Sequence, residues 1–243
     1  MRMLTYAKRC MKEILRDPIT ICFGICFPIV LLLLLSAIQA NVPVEIFKIE
    51  KLTPGITIFG LSFMTLFSAT LISKDRESAF LQRLYTTPLK PFDYILGYML
   101  PLIPISVIQS ICCYITAIFL KLPITINIIY AVILIIPISI FFISIGLLFG
   151  SIFNSKQASG ICGGLFTNLS AWLSGAWFDI SLVGGFFTKI ANVLPFVHAV
   201  ELEKQVLTGN FDDCLKHIII LVIYIIIISF SSILVFLKQM KNN

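Results

Sequence analysis

Residues 74–94 read KDRESAFLQRLYTTPLKPFDY, the most hydrophilic passage of the chain. On either side lie stretches without a single Lys, Arg, Asp or Glu: residues 52–73 before it and 95–120 after it. A helix rises about 1.5 Å per residue, so ~20 apolar residues cross a ~30 Å hydrocarbon layer. The passage is therefore a polar link between two membrane crossings.

Composition extends that reading to the whole chain. Of 243 residues, 58% are hydrophobic and 12% charged, with a mean hydropathy of +1.01. Soluble domains carry about 25% charged residues. The net charge of +6 comes from basic residues flanking apolar runs. That is an orientation signal rather than a nucleic-acid footprint, and no nucleic-acid partner is expected. The seven cysteines are odd in number and irregularly spaced, which argues against a disulfide framework. The first apolar run exceeds the ~7–15 residues of a signal-peptide core and lacks a small-x-small cleavage site, so it reads as a retained span.

The expected fold is an all-α integral membrane protein, a single transmembrane domain over residues 1–243. Six spans are predicted near residues 19–38, 55–73, 94–119, 128–150, 157–178 and 218–237, the fourth kinked near Pro137. Helices are required because backbone groups inside a bilayer must pair within their own segment. Residues 180–200 read as a pair of re-entrant half-helices on the outer side, because Lys189, Gly184, Gly185 and Pro195 disfavour a seventh span. With six spans and the N-terminus inside, Lys48, Lys51, Lys121, Lys189, Lys204 and Lys216 lie outside, and the other 12 of the 18 basic residues lie in the cytoplasm. That bias places both termini in the cytoplasm. It is equally compatible with seven spans, so the choice of six rests on Lys189 and the Gly-Gly break.

Residues 1–17 combine Leu4, Ala7, Met11, Ile14 and Leu15 at helical spacing with Arg2, Lys8, Arg9, Lys12 and Arg16, the pattern of a basic helix lying in the membrane interface. On a wheel of residues 75–86, Phe80, Leu81, Leu84 and Tyr85 share one sector, and Asp75, Arg76, Gln82, Arg83 and Thr86 the opposite one. Glu77 falls on the apolar side near the helix start, where a carboxylate is favourable. Pro88 ends the helix. Its polar face suits either docking to a cytoplasmic protein or lying on lipid head groups.

Arg76-Glu77, Leu84, Thr87-Pro88 and Ile95-Leu96-Gly97 resemble, in order, the coupling-helix region of ABC-2 type exporter permeases. Leu173 to Trp177, Leu194-Pro195 and Lys204 resemble a second passage of that family, although Ser78 and Asp179 depart from its pattern. The resemblance implies a permease that binds no nucleotide and no other cofactor itself. A separate cytoplasmic ATP-binding subunit would hold ATP and Mg and dock on a coupling helix over residues 74–87, through Lys74, Asp75, Arg76, Glu77, Gln82 and Arg83. It further implies a second permease copy or paralogue in a bacterial plasma membrane, and export of an amphipathic drug, antibiotic peptide or lipid-like molecule. A polysaccharide, haem or ion cargo stays open. The chain itself offers no Walker loop, since GSIFNSK lacks the second glycine.

Small and polar residues mark a pathway or dimer interface: Ser62, Thr65 and Ser68 in the second span, and Gly160, Gly164, Thr167, Asn168 and Trp172 in the fifth. Ordinary helix packing explains the same residues equally well. Two other classes fit less well. An ion-coupled carrier places ionisable groups within its spans, and these spans carry none. An intramembrane enzyme needs a constellation that a solitary His198 and Glu201 pair does not supply.

Overall fold

The computed structural model describes residues 2–42, 47–78, 91–178 and 180–242, and among these the chain is helical, without a strand. Among the described residues, five helices are long and apolar enough to cross a membrane: Pro18–Asn41, Ile49–Glu77, Phe92–Phe119, Asn127–Ile152 and Cys214–Gln239.

Helix α1 (Arg2–Arg16) docks on the others through Tyr6, Cys10 and Ile14, which follow one another at four-residue spacing and are all buried. Leu4 and Leu15, two of the apolar residues of the expected interfacial helix, stand exposed. The Asp17 carboxylate accepts from the Ile19 N–H and caps the next helix, with Pro18 in its first turn. That helix, α2 (Pro18–Asn41), contains a π-helical turn at Cys22–Cys26.

Helix α3 (Ile49–Glu77) is the axis of the fold and is buried along most of its length. It exceeds its expected bounds at both ends. At the start, Pro54 is the sixth residue and lies inside the helix, which continues through it at the loss of one backbone N–H bond. At the far end, residues 74–77 continue the same helix instead of opening a separate one, because nothing between Ser73 and Ser78 breaks it.

The third crossing is jointed, α4 (Pro91–Met99) leading into α5 (Leu102–Phe119), with Pro101 at the joint. Helix α6 (Asn127–Ile152) runs unbroken through Pro137. Helical pieces Ser155–Ser159, Gly160–Phe166 and Thr167–Ser174 then follow without interruption as α7, whose middle piece is π-helical. At ~1.5 Å per residue this rod reaches about 30 Å. Its lysine, glutamine, serines and glycines keep it out of the strongly apolar set, so five of the six expected spans, all but 157–178, coincide with strongly apolar helices.

The segment predicted as a re-entrant pair divides into α8 (Ile180–Val183), α9 (Gly185–Val193) and α10 (Pro195–Thr208). Gly184 and Gly185 take φ of 67° and 56°, the left-handed region that glycine tolerates. Pro195 opens α10 rather than breaking it, which carries the helical structure past residue 200 to Thr208. Lys189 is exposed. The last helix is α11 (Cys214–Asn242).

Gly146 and Gly150 let α6 lie directly on α3. A Cβ at Gly146 would collide with the Ser68 hydroxyl and the Thr65 carbonyl, and one at Gly150 would come within 2.9 Å of Ala69 Cα. Two hydroxyls bind across this seam: Thr65 donates to the Phe142 carbonyl at 2.9 Å and Ser68 to that of Ile143 at 3.1 Å. Close approach through small residues four apart drives helix association in lipid.

Side-chain bonds fix which helix ends lie together. Arg76 reaches the last carbonyls of α6, while Asn127, at the start of α6, donates to the Leu207 carbonyl at the end of α10. One end of the bundle thus gathers α1, the end of α3 and the junction of α6 with α7. The other gathers the starts of α3 and α6 with α10. His198 meets His217 at this second end, so α11 starts there. The Ser144–Ser229 contact at 2.9 Å keeps α11 beside α6, and it finishes at the first end.

Candidate functional site: the clamp at the end of α3

Three consecutive residues at the end of α3 each bind a different element. Asp75 is 2% exposed and accepts from both guanidinium nitrogens of Arg9 on α1, at 2.6 and 2.8 Å. The Tyr98 hydroxyl of α4 donates to the same carboxylate at 2.8 Å and that of Tyr6 at 3.2 Å. Arg76 donates to the Gly150 carbonyl at 2.8 Å and the Phe153 carbonyl at 3.2 Å, capping the carbonyl end of α6 with a cation. The Glu77 carboxylate accepts from the Ser155 N–H at 2.7 Å, at the positive end of α7.

The surroundings of Asp75 are dry. Burial opposes the charge on Arg9, but the Asp75 carboxylate outweighs it and raises the Arg9 pKa. Burial raises Tyr6 too, and pushes the Cys10 thiol up to about 12, which leaves it un-ionised and unreactive. Gly97 belongs to this packing, since a Cβ there would run into the Tyr6 ring.

This arrangement departs from the sequence expectation. Asp75 and Arg76 were expected on an outward polar face, yet Asp75 is interior and Arg76 and Glu77 are engaged within the chain. Among the described coupling residues Lys74 projects outward, exposed and with Glu13 as an electrostatic neighbour. Gln82 and Arg83, with the rest of the segment to Thr87, lie outside the described residues.

The residues assigned to a pathway or interface separate into two groups. Ser62, Thr65 and Ser68 are fully buried, and Ser62 donates to the Phe59 carbonyl of its own helix. Thr167 also turns inward and donates to the Cys162 carbonyl. Gly160, Gly164, Asn168 and Trp172, four apart in succession, form an exposed stripe along α7. A Cβ at Gly160 or Gly164 would meet nothing within 4 Å.

Aromatic rings line another edge of α3. Phe67, Phe63, Phe59 and Trp177 follow one another with centroid separations of 6.5, 5.6 and 5.6 Å, and Phe27 packs on Phe63 at 5.7 Å. Phe67 faces a groove of about 1040 Å³ at the clamp end, which α1 and Lys74 also line. Trp177 faces one of about 880 Å³ at the opposite end, with Glu50, Lys51, Glu201 and Lys204.

One buried and one half-buried polar pair escaped sequence reasoning. Tyr114 donates to Glu203 at 2.6 Å, and Glu203 is fully buried. His198 faces His217 through their Nδ1 atoms at 2.8 Å, while its Nε2 lies 2.9 Å from the Asn192 carbonyl. No sequence signal joins residues 89 positions apart on different helices. Among the described residues, no group of three or more His, Cys, Asp or Glu is placed to hold a metal ion.

A sequence model of the ABC-2 type transporter family matches residues 1–208. Among curated proteins, none matches the chain.

Proposed function

Because this chain belongs to the ABC-2 type transporter family, a family of multi-pass membrane permeases rather than catalysts, we propose that it exports an amphipathic molecule with energy from a separate ATP-binding subunit. The clamp is the observation that supports the reading most directly. The polar segment following α3 would be the docking element, and α3 its lever. Asp75, Arg76 and Glu77 tie the base of that lever to α1 and α4, to α6, and to α7 respectively. A displacement of the segment would move these helices as one body instead of bending α3 alone.

The remaining features fit the same scheme. The clamp end would face the cytoplasm, with both termini, and α7 would complete a six-span layout in a bacterial plasma membrane. The exposed stripe of Gly160, Gly164, Asn168 and Trp172 would meet a second permease copy or paralogue, since small residues permit close helix contact. The ring series between the two grooves favours a cargo with apolar or aromatic surface, such as a drug, antibiotic peptide or lipid-like molecule. ATP and Mg would reside on the partner subunit.

The test is transport in proteoliposomes containing this chain and an ATP-binding subunit that co-purifies with it. Export of a fluorescent amphipathic cargo should require ATP and both proteins. Transport at full rate by the purified chain alone would defeat the proposal.

A further inference from the structure

We propose that the groove between α1 and the clamp end of α3 binds the head group of an anionic phospholipid, drawn from the leaflet in which α1 lies. The groove measures about 1040 Å³ and carries Lys8, Lys12, Arg16 and Lys74 on its rim. All four are exposed, and among the described residues no side-chain bond or ion pair engages them. The other charged groups in the groove are already committed. Arg9 holds Asp75 at 2.6 Å and Glu13 at 2.9 Å. Asp17 accepts from the Ile19 N–H at 3.0 Å and the Thr20 hydroxyl at 3.1 Å. What remains is a rim of four cations, of which Lys74 also attracts Glu13, and its positive excess complements a phosphodiester.

The apolar lining distinguishes a phospholipid from a soluble anion. Leu71 and Phe67 continue along α3 from Lys74, about 4.5 and 10 Å deeper at ~1.5 Å per residue, and Ile14 forms part of the opposite side. Leu4, Leu15 and Ile19 stand 61, 56 and 66% exposed beside the groove. A cationic rim above an apolar wall, flanked by large uncovered aliphatic side chains, matches a head group above its acyl chains. Bound there, the lipid would bridge Lys8 and Lys12 of α1 to Lys74 of α3 across the joint that Arg9 and Asp75 close. The inference depends neither on the cargo nor on an ATPase.

The experiment follows thermal unfolding of the purified full chain in dodecyl maltoside during titration with phosphatidylglycerol, phosphatidylcholine or inorganic phosphate. Phosphatidylglycerol alone should raise the midpoint. The triple variant Lys8→Gln/Lys12→Gln/Lys74→Gln should weaken that response on the order of a hundredfold, at roughly fivefold per cation near an anionic lipid. The control Lys156→Gln/Lys216→Gln should leave it within about twofold. Equal responses to both lipids, an equal response to phosphate, or an unaltered triple variant would each overturn the proposal. So would a triple variant that keeps its lipid response but no longer co-purifies with an ATPase, which would make the groove a protein-docking surface. If the triple variant does not fold, wild-type protein decides. Raising salt from about 50 to about 500 mM should weaken the phosphatidylglycerol response, and a flat dependence overturns the site.

Discussion

Arg9 and Asp75 lie 66 residues apart and meet through two parallel hydrogen bonds of 2.6 and 2.8 Å, one partner on α1 and the other at the end of α3, which is buried along most of its length. The carboxylate is 3% exposed as a side chain and the guanidinium 36%, so the pair has one dry and one wetted member. Paired, the charge on Asp75 is tolerated; unpaired, it would be left in an apolar site.

Arg9→Ala should therefore destabilise the protein by up to about 3 kcal/mol, the low end of the range for breaking a buried pair, because Arg9 retains solvent contact. Arg9→Lys should recover part of the loss, since a lysine keeps the charge but not the two-pronged geometry. Asp75→Asn should cost less than Arg9→Ala, as Tyr6 and Tyr98 can still donate to the amide oxygen. Thermal unfolding in detergent orders the three variants. An Arg9→Ala protein as stable as wild type would show the pair to be idle.

Gly146→Ala should cost about 1–3 kcal/mol, because the added methyl collides with Ser68 and Thr65 and α6 must back away from α3. Gly160→Ala should do the reverse, gaining up to ~1 kcal/mol through helix propensity in open space. Gly164→Trp should fold normally yet weaken association of permease copies, if the α7 stripe is their interface. Unfolding midpoints read the first two variants, and multi-angle light scattering of detergent-purified protein reads the third.

The contrast between these glycines shows what the sequence can convey. Both pairs have the same spacing, and residues 160–164 attract attention because their surroundings are rich in small residues. Only the packing reveals that Gly146 and Gly150, in an otherwise bulky helix, are the pair that needs to be small. Hydropathy located the apolar crossings well, since ~20 uncharged residues in succession have few other solutions. It missed the end of α3, because a wheel drawn over residues 75–86 treats Asp75 as one polar residue among several. Its burial depends on Arg9, Tyr6 and Tyr98, which no local periodicity brings together. Glu203 escaped for the same reason.

Arg76→Ala should separate ATP hydrolysis from transport. The Arg76 guanidinium joins the end of α3 to the end of α6, while the ATP-binding subunit would dock on the segment that follows α3. Its removal should leave co-purification of that subunit intact and cut transport per ATP several-fold, about as much as a coupling free energy of 1–3 kcal/mol allows. Parallel measurement of hydrolysis and cargo flux in proteoliposomes distinguishes this from plain instability, which would lower both together.

Glu203 makes stability depend on pH. Burial raises its carboxyl to about 8, while the Tyr114 hydroxyl, donating at 2.6 Å, pulls it the other way. The folded protein thus keeps a proton that the unfolded chain releases above ~4.3. The stability linked to that proton is complete below the ordinary carboxylate range, and is lost as pH rises toward about 8, beyond which it falls no further. Glu203→Gln keeps the shape without the ionisation and should flatten this part of the profile. Tyr114→Phe should move the end of the decline to higher pH, because the group that favours the charged form is gone. Unfolding midpoints of the three proteins between about pH 5 and 9 decide the matter, and a wild-type profile no steeper than that of Glu203→Gln would mean that the carboxyl is ionised throughout.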